Sequence, residues 1–188
     1  MEDGGARPRV DPAELVHTSL PPWARGVVPS RATSATGADG AAHLLVGVGS
    51  ESAPVLARWA AELGAGRAAV RVLRAPDGSA ARALLAVALA RARVGVRVWV
   101  SGPVGACLTL RATALAAGLA DDELVVVPVG NGPIDVACVH CGRATEVEAE
   151  IGDTIACAGC GRPLLVFEHV SRRLGSFLGF QADAGGSA

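Results

Sequence analysis

Four cysteines carry the clearest chemistry available to this chain. They stand as two pairs, Cys138 with Cys141 and Cys157 with Cys160, each written C-x2-C, with residues 142–156 between the pairs. A C-x2-C turn is tight enough to aim two thiolates at one point, and its exposed amides hydrogen-bond the sulfurs. Gly142 and Gly161 follow the second cysteine of each pair, where glycine adopts a positive φ at little cost. Two such turns surround one tetrahedral ion with four sulfurs. Zinc is the expected ion, with a mononuclear iron second and a labile disulfide pair third. A site closed by four thiolates keeps no position for water, so its expected role is structural. His140 lies inside the first pair, but four cysteines already fill the ligand set, which leaves it facing solvent or supporting the ligands.

No other residues form a recognisable reactive set. Cys107 stands alone on a helical stretch with no histidine close in sequence, and reads as a small buried hydrophobe. Glu51, Ser52 and Ser101 are polar groups at expected strand ends. No Ser-His-Asp order accompanies them, and no G-x-S-x-G elbow is present. No catalytic residue is assigned.

Composition narrows the setting. The chain has 188 residues, 51% of them hydrophobic, which is enough for a packed core. Its 17 basic residues are all arginine, and against 18 acids they leave a net charge of -1. They form no basic stripe, so neither duplex DNA nor RNA is an expected partner. The opening MEDGGARPRV lacks the basic start and apolar run of a leader, and no stretch is apolar enough to span a bilayer. A cytoplasmic location is therefore expected. There, paired cysteines point to metal before disulfide.

The elements that position these residues follow from periodicity. Residues 1–40 are rich in Pro, Gly, Ser, Thr and Ala and read as an irregular N-terminal arm. Trp23, its only aromatic, either covers a core edge or anchors in a partner. Beyond the arm, HLLVGVG (43–49), AAVRVLR (68–74), VGVRVWVSGP (94–103) and DELVVVPVG (122–130) read as buried parallel strands. Helical runs at 50–63, 80–93 and 105–118 alternate with them. Ser52 is the expected cap of the first helix, and Pro54 suits its first turn. The order β-α-β-α-β-α-β predicts an α/β fold: a short Rossmann-like parallel sheet over 41–131, helices on both faces. Residues 131–137 read as a short linker. A four-cysteine metal ribbon is expected over 132–170, with TEVEAEIGDTIA as its strand–turn–strand spacer. Residues 171–188 form an apolar terminal segment with Arg172 and Arg173, expected to fold onto the ribbon or to dock a larger subunit.

Two resemblances add to this reading. HLLVGVGSESAPVLARWAAEL (43–63) and VWVSGPVGACLTLRATALAAGLADDEL (98–124) resemble the nicotinamide-binding half of ferredoxin-reductase-type flavoproteins. That family has Cys-Gly-Pro where this chain has Ser101-Gly102-Pro103, and G-x-G-x-T-P where it reads from Gly47 to Pro54. The resemblance implies Gly47, Gly49, Ser101, Gly102 and Pro103 as weak candidates for cofactor contact. The arrangement over about 40–184, with the tail HVSRRLGSFLGFQADA, also resembles the small, A-type subunit of bacterial dimethylamine monooxygenase. That resemblance implies an accessory subunit with a structural zinc on its four cysteines. It places haem, flavin, an iron–sulfur cluster and NAD(P)H on partner subunits, where dimethylamine would be N-demethylated. A stand-alone nicotinamide-nucleotide-binding reductase component and a zinc-ribbon nucleic-acid-binding protein remain alternatives. The first would bind reduced nicotinamide alone, and the second would show salt-sensitive nucleic-acid binding.

Overall fold

The computed structural model describes residues 18–26, 34–35 and 38–182. Most of the expected arm over 1–40 and residues 183–188 lie outside them. Four parallel strands, β1 (Ala42–Val48), β2 (Ala69–Ala75), β3 (Val96–Gly102) and β4 (Leu124–Pro128), form a sheet in the order β2-β1-β3-β4. Helices α1 (Ala53–Gly64), α2 (Gly78–Leu89) and α3 (Val104–Ala116) make the crossovers.

The strands are apolar on both sides because both sides are covered. Leu45, Trp99 and Val127 point to α1, where they meet the buried Leu56, Trp59 and Leu63. Leu44, Val46, Val98, Val100 and Val126 point the other way, against Leu85 of α2 and Leu110 of α3. The order reverses between β1 and β3, so the carboxyl ends of these strands flank the place where open sheets of this kind bind ligands. Trp23 packs against the α2–α3 core and also against the core of the second sheet, so the arm's aromatic covers an edge of this chain.

Helix starts differ from the sequence expectation at one point. Ser52 occupies the N-cap of α1 but does not cap it; its hydroxyl donates to the Gly49 carbonyl at 2.7 Å. Asp77 is the true cap, its carboxylate accepting from the Ala80 amide at 2.8 Å at the start of α2. Asp77→Ala is expected to cost about 1 kcal/mol of stability in urea unfolding.

His43 is the one strongly buried imidazole among the described residues, 2% exposed, and its Nδ1 accepts from the Trp99 indole N–H at 3.2 Å. Burial, helped by the charge of Arg97, lowers its pKa from the ordinary 6.5. The unfolded chain therefore takes the proton first as pH falls. The stabilisation from neutral His43 is present above about pH 6.5 and is lost as pH drops below it, toward the folded pKa. His43→Gln, which removes the titration, should flatten the acid limb of a plot of urea midpoint against pH.

A second, mixed sheet follows: β5 (Ile134–Cys138), β6 (Ala144–Val147), β7 (Thr154–Ala156), β8 (Pro163–Ser171) and β9 (Ser176–Gln181), ordered β6-β5-β9-β8-β7. Two sequence expectations change here, and the terminal segment takes the first of its two expected courses. The linker over 131–137 supplies β5. The spacer is no hairpin: β6 pairs with β5, β7 pairs with β8, and the two lie on opposite edges. The terminal segment expected over 171–188 supplies β9, which lies between β5 and β8 and closes the sheet. Phe177 is the reason, since it enters a core with Ile134, Val136, Val166 and Val170 from the sheet and Leu108 from α3. Gly179 is the second reason: a Cβ there would lie 2.8 Å from Val136 and 3.0 Å from Leu164.

Candidate metal centre

Each cysteine pair is the tip of a hairpin. The turn from Cys138 to Arg143 joins β5 to β6, and the turn from Cys157 to Arg162 joins β7 to β8. The two tips are copies of one another. Cys138 and Cys157 each donate their amide to the carbonyl five residues on, Arg143 and Arg162, at 2.9 Å in both turns. Gly142 and Gly161 each donate back to the first cysteine's carbonyl, also at 2.9 Å, with φ of 74° and 72°. Those angles are the reason glycine follows each pair. With β9 between them, β5 and β8 hold the tips side by side.

The sulfurs converge. Cys138 Sγ lies 3.8 Å from Cys160 Sγ, and Cys141 Sγ lies 3.6 Å from Cys157 Sγ. All four fall within 4.8 Å of one another. A metal–sulfur bond of about 2.3 Å requires sulfur–sulfur edges of about 3.8 Å in a tetrahedron, so the four cysteines could hold one ion with little movement. Cross-links between the tips fix this approach. The Ala158 amide donates to Thr145 Oγ1 at 3.0 Å, and Gly159 sits where a Cβ would be 3.0 Å from Cys141 Sγ. His140 is exposed and outside the cluster.

The surroundings act on the sulfurs in opposite directions. The Cys160 amide, then that of Gly159, hold the Cys157 thiol down at about 6. The Arg162 amide also pulls on Cys160, but burial and the sulfurs of Cys157, Cys138 and Cys141 outweigh it and push Cys160 up to about 11. Four sulfurs this close resist joint ionisation until a positive ion shares their charge.

The five reductase-like candidates sit at the carboxyl ends of β1 and β3, but only Gly49 and Pro103 line the cleft there, which encloses about 550 Å³. Ser101 is fully buried. A Cβ on Gly47 would lie 2.6 Å from Leu56 and from Ser52 Oγ, and one on Gly102 would lie 2.7 Å from Val48. These two glycines serve packing within the sheet layer. Asp135, Glu146 and Glu148 form the opposite wall, contributed by the second sheet.

Cys107 is fully buried on α3, its thiol donating to the Gly102 carbonyl at 3.3 Å. Burial, partly offset by that contact, raises its pKa to about 12. Native chain treated with iodoacetamide at neutral pH should keep Cys107 unmodified in peptide mass spectrometry.

Sequence reasoning missed one ionic clasp. Asp121, just before β4, accepts from Arg111 Nε and Nη2 at 2.9 Å each, and from Arg172 Nη2 at 2.5 Å. Arg172 belongs to the β8–β9 turn, so one carboxylate ties α3, β4 and the second sheet together. Gly175 closes the same turn against α3, with no room for a side chain: a Cβ would lie 2.5 Å from the Leu108 carbonyl oxygen. Three residues this far apart in sequence give no local signal, and only Arg172 had been singled out.

A Rossmann-like sheet joined to a second sheet that brings four thiols together defines an α/β protein with a metal-capable cysteine module. A family model described as "Dimethylamine monooxygenase subunit DmmA-like, C-terminal domain" matches residues 135–180, from β5 into β9. A heme-dependent oxidative N-demethylase delta subunit of Ectopseudomonas mendocina (strain ymp) is 40% identical over 147 residues, covering 76% of this chain and 80% of that protein. The chain belongs to this DmmA-like family of small subunits. No solved structure matches it.

Proposed function

We propose that the chain is an accessory subunit of a haem-dependent oxidative N-demethylase, without catalytic residues of its own. The observation that carries this reading is the 40% identity to a delta subunit over 80% of that protein's length. The site chemistry is in keeping with it. Four thiolates would close the coordination sphere of a structural zinc, and the described residues offer no nucleophile–base pair. Cys138, Cys141, Cys157 and Cys160 would hold the zinc, which supplies rigidity to the paired hairpin tips and no reaction step.

The reaction belongs to partners. One subunit would carry haem, and a reductase subunit would carry flavin, an iron–sulfur cluster and the NAD(P)H site. Dimethylamine, dioxygen, NAD(P)H and a proton would give methylamine, formaldehyde, NAD(P)+ and water. A cytoplasmic location suits reduced thiols and a nicotinamide-fed enzyme; among the described residues no helix is long and apolar enough to cross a membrane. Surface hydrophobes offer docking points, with Leu174 49% exposed in the β8–β9 turn and Phe180 41% exposed near the far end of β9, opposite Leu165.

Affinity purification of the tagged chain from cells that make it, followed by metal analysis and absorption spectroscopy, tests the assignment. A colourless chain with one zinc, accompanied by a haem protein, is the expected result. A red chain with bound iron and no haem partner would contradict it.

A further inference from the structure

The reductase-like sheet implies a nicotinamide dinucleotide, and the residues present do not fit one. A dinucleotide's pyrophosphate needs helix N-termini approached closely through bare glycine backbone. In this chain the helix starts that line the cleft are those of α2 and α3: Asp77 caps the first, accepting from the Ala80 amide, and the connector lies against the second. Glu51 lies in the turn before α1, and its carboxylate folds over the segment joining the two sheets: its Oε2 sits 1.7 Å from where a Cβ on Gly130 would be. At α3 the occupant is a carbonyl. The Pro133 oxygen lies 2.2 Å from the Cβ position of Gly105, in the first turn of that helix.

Between these points the connector is fastened along its length. The Val129 amide donates to the Gly102 carbonyl at 2.9 Å, and a Cβ on Gly132 would lie 3.0 Å from the Pro103 ring. The tripeptide that would face a nicotinamide ring is thus beneath residues 129–133, with Ser101 fully buried. What remains of the cleft is walled by Asp135, Glu146 and Glu148 opposite Asp77 and Arg82, a lining that repels phosphate.

We infer that the connector from Gly130 to Ile134 is a built-in occupant of the cofactor cleft, which takes no nicotinamide dinucleotide. The Asp77 carboxylate at the start of α2 and the Pro133 carbonyl against the first turn of α3 stand where phosphate would approach. The glycines at 105, 130 and 132 are there to seat the chain's own backbone. The cleft thereby becomes the joint that holds the second sheet on the first.

The test uses the full metal-loaded chain. NADPH, NADH and inorganic pyrophosphate are titrated in by calorimetry, and amide exchange is followed by mass spectrometry. No saturable heat is expected up to about 1 mM, the weak end of cofactor affinities. Peptides covering 129–135 should exchange as slowly as β4, with or without nucleotide. Saturable NADPH binding that pyrophosphate competes away would overturn the inference, as would fast exchange of 129–135 in the nucleotide-free chain. Gly105→Val supplies the second arm. It should raise exchange across 129–135 by about tenfold or more while β1–β4 stay protected; unchanged exchange in a folded variant would also overturn it. Co-purification with a haem protein decides the subunit reading separately, so the two can fail independently.

Discussion

Replacing Cys157 by serine is expected to abolish stoichiometric metal binding and to loosen both hairpin tips of the second sheet. Cys157 is 3% exposed and takes an amide hydrogen bond from Gly159 at 3.3 Å, so its sulfur has the most prepared surroundings of the four. Disturbing only the supports of a ligand costs roughly 10–100-fold in metal affinity, and losing the ligand itself should exceed the upper figure. The consequence extends to folding, because binding energy of a closed structural site is folding energy. Beyond cross-contacts such as Ala158 to Thr145, the proposed ion would add the bonds that join the two tips. Metal content by mass spectrometry after gel filtration, with amide exchange across 138–162, reads both effects. Chelator treatment of the native chain should reproduce them. His140→Ala should leave metal content unchanged, since that imidazole is exposed and outside the sulfur cluster.

Asp121→Ala should produce the second large effect, a loss of about 3 kcal/mol in urea unfolding. The Arg111 side chain is only 10% exposed and its guanidinium pairs with Asp121, so the variant strands a buried charge. Asp121 itself is 47% exposed, which tempers the loss by admitting water to the partner left behind. Arg172→Ala should cost less than about 1 kcal/mol, because that side chain is 63% exposed and its removal leaves the Arg111 pair intact. A large difference between the two variants would identify Arg111 as the energetic centre of the clasp. Equal, small losses would mean the clasp contributes little.

The first sheet was legible because its signals are local. Runs such as HLLVGVG and VRVWVSG are short, apolar and glycine-ended, and helical stretches of the right length separate them. The cysteine cluster was legible for a related reason: the spacing of each C-x2-C-G turn specifies its own backbone, independent of distant partners. The second sheet was less so. Strand pairing is a relation between segments, and nothing in TEVEAEIGDTIA says that its halves pair outward, with β5 and β8, and not with each other. β5 follows Pro133 and spans five residues, and β9 carries Gly179 where an alternating pattern would place a side chain. Both therefore resembled irregular chain. The clasp among Arg111, Asp121 and Arg172 and the connector seated on Gly105 are likewise nonlocal. Ser52 shows the converse failure, a residue of capping type at a capping position whose hydroxyl turns back to Gly49.

The proposed centre of the second sheet is one ion enclosed by the sulfurs of its two matching hairpin tips. X-ray absorption at the zinc edge, on the full chain purified without added metal, tests this most directly. Four sulfur scatterers at about 2.3 Å and no oxygen or nitrogen shell are the predicted result. A site with a bound water or histidine nitrogen, or a preparation holding no zinc while residues 138–170 remain folded, would contradict it.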